Sequence, residues 1–113
     1  MITRIVRMEF KPDHVQDFLR QFDSVRQKIR QYPGVQKLEL HHDTGQSNVF
    51  YTYSTWDSEQ ALETYRQSEL FKYAWGAVKP WFGSKPQAFS LRPESLSEEE
   101  QDGQSDGFCT RTY

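Results

Sequence analysis

The chain has 113 residues, 35% hydrophobic and 15% aromatic, with a formal net charge of -2. That length holds one domain with one core and excludes a two-domain enzyme, while three Trp, six Tyr and eight Phe can supply the core from few side chains. Residues 1–93 carry 13 Lys/Arg against 10 Asp/Glu, a near-neutral body without the basic stripe that phosphate contacts need, so nucleic acid is excluded as a partner.

Residues 2–10 alternate as a strand does, with Ile2, Arg4, Val6, Met8 and Phe10 on one face. Pro12 ends the ladder, and Asp13 with Gln16 reads as a capping box that opens a helix over residues 13–31. Val15, Phe18, Leu19, Phe22, Val25 and Ile29 form its buried stripe, and Arg20, Arg26, Lys28 and Arg30 its solvated face. Tyr32-Pro33-Gly34 stops it.

Residues 35–42 then form a second strand, with Leu38 and Leu40 on one face and Lys37, Glu39 and His41 on the other. Turn residues at 43–48 lead into a third strand over 49–56, which pairs with the second as an antiparallel hairpin. The run Asp57-Ser58-Glu59-Gln60 reads as a second capping box, opening a short helix whose buried stripe is Ala61, Leu62 and Tyr65. Ser68 caps another, lined by Leu70, Phe71, Ala74, Trp75 and Val78 and closed by Pro80 and Gly83. A last strand spans 87–91. Strand, helix, strand, strand, helix, strand is the split βαβ order of an α+β, ferredoxin-like subunit: a four-stranded antiparallel sheet with helices on one face. Its other face needs a cover, and a second copy of the chain is the economical one.

Residues 1–92 are read as the folded domain and residues 93–113 as a flexible tail, because residues 94–113 hold one Arg against six acids and few apolar side chains. The single cysteine, Cys109, lies in that tail, so no internal disulfide forms. No signal peptide or membrane span is legible, and the expected location is the cytoplasm.

The pieces Phe10-Lys11-Pro12, Tyr32-Pro33-Gly34-Val35, Trp56-Asp57-Ser58-Glu59-Gln60-Ala61-Leu62 and Ser68-Glu69-Leu70-Phe71, in that order over residues 2–91, resemble the antibiotic biosynthesis monooxygenase family of dimeric α+β barrels. The resemblance implies a homodimer whose two sheets face each other around a cavity, and oxidation of phenols, quinols or anthrones by oxygen without a cofactor. An electron-rich phenolate can itself give an electron to oxygen, so the protein need only hold the anion and keep water out.

At the end of the third strand, Trp56 matches the family's tryptophan; it reads either as an indole donor to a substrate oxygen or as a packing residue. His41 reads either as a general base facing the cavity or as an exposed strand-end histidine. Phe50, Thr52, Tyr65 and Trp75 are the candidate substrate-binding residues. His14, just after the helix cap, is read as solvated.

Departures from the family pattern are as informative. Anthrone oxygenases carry an Asn four residues before the tryptophan and an Arg on the last helix, where this chain has Thr52 and about Gly76. Haem degraders carry an Asn, a Trp and an axial His where this chain has Ile5, Tyr65 and Trp75, which leaves haem without an axial ligand. No metal-site spacing is present. The two functions in view are a cofactor-independent monooxygenase for a small aromatic or quinol, and a non-catalytic barrel that binds a hydrophobic aromatic compound.

Overall fold

The structure, a computed structural model, describes residues 1–96. Strands β1 (Ile2–Glu9), β2 (Val35–His42), β3 (Val49–Trp56) and β4 (Gln87–Leu91) form one antiparallel sheet in the order β2-β3-β1-β4. Helices α1 (Val15–Arg30), α2 (Glu59–Arg66) and α3 (Glu69–Val78) cover one of its faces. This is the ferredoxin-like α+β subunit read from the order of elements. The proposed tail falls almost wholly outside the described residues.

Register fixes which side chains look at the helices. Ile2 lies opposite Trp56, Arg4 opposite Ser54, Val6 opposite Thr52 and Met8 opposite Phe50. On the far strands, Leu38 and Leu40 pair with Ser54 and Thr52, and Ser90 and Ala88 with Arg4 and Val6. All of these share one face, because strand side chains alternate with period two. The core under the helices divides into two clusters, one around Val25, Ile29, Trp56, Leu62 and Tyr65, the other around Met8, Phe10, Phe18, Phe50 and Val78.

Four local expectations change. Phe10 lies beyond β1, in an isolated bridge to Phe82. The first long helix begins at Val15, not residue 13, because Pro12–His14 winds as a tighter 3-10 turn; no side chain caps either start, so Asp13 and Gln16 form no capping box. His14 is not simply solvated: half-buried, it holds Asp17 through its Nδ1 at 2.9 Å and lies parallel to Trp81 with ring centres 5.9 Å apart. The two later helices are capped by serines, Ser58 Oγ accepting from the Ala61 N–H and Ser68 Oγ from the Phe71 N–H, both at 3.1 Å; Gln60 donates to Thr64 instead of closing a box at the first of them.

Among the described residues, no helix is long and apolar enough to cross a membrane.

Candidate functional site

Between the sheet and its own helices lies a cavity of about 360 Å³. Its floor is the helix-facing side of the sheet: Arg4 and Val6 from β1, Leu38 from β2, Thr52, Ser54 and Trp56 from β3, and Ala88 from β4. Its roof comes from α1, through Phe18, Gln21, Phe22, Val25 and Ile29, and from the aromatic sides of α2 and α3. The space exists because several positions where the layers meet carry small side chains. Thr52, Ser54, Ala74 and Ala88 reach too little into it to touch one another. The resemblance implied a chamber between two sheets; this cavity is on the opposite side of the sheet, inside one subunit.

The wall is aromatic. Ring centres run from Trp56 to Tyr65 at 5.0 Å, Tyr65 to Phe71 at 5.3 Å and Phe71 to Trp75 at 5.9 Å, the last pair nearly parallel. Offset stacks and edge contacts of this kind keep the rings fixed, so the wall is preformed rather than assembled on binding.

Of the residues singled out in the sequence, Thr52, Trp56, Tyr65 and Trp75 line this one cavity. Phe50 does not. It is packed in the second core cluster against Phe18, and its ring stacks on His42 at 4.3 Å. His41 is on the sheet's outer face, where its Nε2 meets Glu39 Oε1 at 2.8 Å and its ring lies 6.2 Å from that of Tyr53. That bond, with a further contribution from Lys37, holds the Glu39 carboxyl below its ordinary range. Gly76, at the position compared with the family's arginine, is exposed and outside the lining.

Trp56 is 2% exposed, and its indole N–H donates to Ser54 Oγ at 3.0 Å. Ser54 in turn donates to the Arg4 carbonyl at a long 3.4 Å. The indole hydrogen is therefore engaged within β3, and what Trp56 turns to the cavity is ring surface. Tyr65 behaves differently: burial, and secondarily Tyr32, push its phenol up to about 12, so it stays protonated at neutral pH.

Two polar residues missed in the sequence complete the lining. Arg4 is half-buried on the floor, and its only side-chain hydrogen bond among the described residues is from Nη1 to Ser90 Oγ at 2.9 Å. Burial and the neighbouring Arg66 pull its guanidinium below the ordinary value, while Glu63 acts in the opposite sense without reaching ion-pair distance. Gln21, on the roof, has a buried amide nitrogen with no hydrogen-bond partner. The sequence held a signal for each: Arg4 interrupts the apolar parity of Ile2, Val6 and Met8, and Gln21 sits within the stripe of Phe18, Phe22 and Val25. No Asp, Glu or His lines the cavity, and no three His, Cys, Asp or Glu side chains gather as metal ligands among the described residues.

The chain matches the family model described as antibiotic biosynthesis monooxygenase over residues 1–75. No curated protein matches it by sequence. Among solved structures, it is similar to one titled antibiotic biosynthesis monooxygenase, with 18% identity and a TM-score of 0.79 over 84% of this chain and all of that one. A conserved protein from Methanosarcina mazei Go1 shares 17% identity and a TM-score of 0.78 over 83% of this chain and 94% of its own. Rv0793 from Mycobacterium tuberculosis shares 16% identity and a TM-score of 0.77 over 86% and 98%. At such identities the structural likenesses speak for the fold alone.

Proposed function

Because this chain belongs to the antibiotic biosynthesis monooxygenase family, we propose that it is a cofactor-independent monooxygenase acting on a small, electron-rich aromatic or quinol held in the intrasubunit cavity. The observation that carries this reading is the cavity itself: about 360 Å³, aromatic-walled, with a few polar groups converging on it. That volume is near the lower end of the roughly 300–1,000 Å³ typical of small-ligand sites, which fits a compact ring system.

The lining also dictates what the protein can contribute. With Tyr65 held protonated and no carboxylate or imidazole in the wall, the residues present are hydrogen-bond donors and cations, not bases. The substrate therefore ionises to solvent on entry, assisted by the positive field of Arg4 and Arg66. Its anion passes one electron to oxygen, the radical pair recombines at a ring carbon, and the peroxide loses water. In net terms a ring CH₂ and one O₂ become a carbonyl and one H₂O. Trp56, Tyr65 and Trp75 hold the ring plane; Thr52 and Tyr65 supply neutral hydroxyls.

The same family reading has two subunits pairing through the outer faces of their sheets. His41 then belongs to that interface rather than to the chemistry.

Oxygen uptake with a panel of quinols and anthrones, in chelator, tests the proposal. Turnover above the uncatalysed rate that falls about tenfold or more in Ala74→Trp, which fills the cavity, is the expected result. A second reading, a barrel that sequesters an aromatic compound without reacting, is favoured by the absence of a base from the lining. Saturable binding with no oxygen uptake by any compound would overturn the oxygenase reading and leave that one.

A further inference from the structure

We infer that the ligand of this cavity is an aromatic carboxylate, its anionic oxygens directed to Arg4 and its ring set against the Trp56–Trp75 wall. The inference rests on the proposal that the cavity binds an aromatic compound and adds the charge and the polar end of that compound. A half-buried arginine is ordinarily paired, because removing a cation from water is costly unless an anion or several acceptors replace the water. Arg66, the exposed cation of the lining, is paired with Glu63 at 3.2 Å. Arg4 is not: no carboxylate of the described residues comes within ion-pair distance, and one serine hydroxyl takes one of its five N–H groups.

Arg4 lines the cavity from the floor, in the same lining as the neutral hydroxyls of Thr52 and Tyr65. The cavity is thus rich in donors, positively charged and free of acids, and its apolar remainder is aromatic. An acceptor-only anion on a flat ring satisfies every one of these features, and the forked guanidinium suits two carboxylate oxygens better than it suits the single oxygen of a phenolate.

Calorimetric titration of the full chain at low salt and neutral pH, with naphthoate and with its neutral methyl ester as probes, tests this. Wild type should bind the acid about tenfold or more tighter than the ester. Arg4→Gln should remove that preference, weakening the acid by about tenfold or more and the ester far less. Arg4→Lys, which keeps the charge and loses the fork, should recover part of the preference and guards against a folding defect in Arg4→Gln. Equal binding of acid and ester by wild type, or an Arg4→Gln protein that still prefers the acid, overturns the inference and leaves the cavity reading standing. Binding of neither probe also overturns the inference, while oxygen uptake with the quinols and anthrones decides the proposed function separately.

Discussion

Tyr65 is where burial has its clearest consequence for a single side chain. Its phenol, pushed up to about 12 from an ordinary 10, binds its proton more tightly in the folded chain than in the unfolded one. The linked stability is therefore fully present below pH 10 and is lost as pH rises from about 10 towards 12, by roughly 2–3 kcal/mol for a shift of this size. Tyr65→Phe should remove that alkaline loss, so the gap between the urea midpoints of wild type and variant should stay constant up to about pH 10 and shift in the variant's favour as pH rises towards 12. Parallel curves across the range would show that the phenol is not desolvated. Gly34 is constrained by backbone and space together. Its φ of 95° lies in the left-handed region, and a Cβ there would sit 2.6 Å from the Ala61 Cβ. Gly34→Ala should cost about 1–2 kcal/mol in conformation alone, with the clash added. A denaturation midpoint indistinguishable from wild type would show that the turn relaxes freely.

The elements themselves were legible where short-range chemistry sets their ends. Pro33-Gly34 before β2, the polar run at 43–48 between β2 and β3, and the serines before α2 and α3 act within a few residues of where they stand. The start of α1 was not legible, since the 3-10 turn at Pro12–His14 satisfies the chain before a capping side chain is needed. Ser68 shows how much one such signal can carry. Its hydroxyl accepts from the Phe71 N–H and also donates to the Tyr65 carbonyl at 2.6 Å, so it caps α3 and ties it to the end of α2. Ser58, by contrast, only caps α2. Ser58→Ala should cost about 1 kcal/mol, and Ser68→Ala up to about twice that, because it removes a second hydrogen bond as well. Chemical denaturation of the two variants side by side gives the comparison. Equal losses would mean that the link between the helices adds nothing.

At the scale of the molecule, what the sequence did not reveal was the cavity. Alternation along β3 placed Thr52 and Trp56 on one face, and helical spacing oriented Tyr65 and Trp75. Whether facing layers touch or leave a gap, however, depends on side-chain volumes summed across four strands and three helices, which no local pattern encodes. The gap lies under the helices, so the outer face of the sheet is left for another purpose. That face carries Ile5, Tyr51 and Tyr53 centrally, with Phe89 49% and Leu91 50% exposed on the edge strand β4. Apolar and aromatic surface so concentrated is costly to leave wet and suits a self-complementary pairing of two subunits. Phe89→Glu, directly on that face, should raise the dimer dissociation constant by about tenfold or more, read by light scattering across a concentration series. Wild type that remains monomeric at micromolar concentration would remove the basis for pairing. Because the cavity is inside each subunit, the Phe89→Glu monomer should still bind naphthoate as wild type does. Loss of that binding together with the dimer would place the ligand between the two sheets instead.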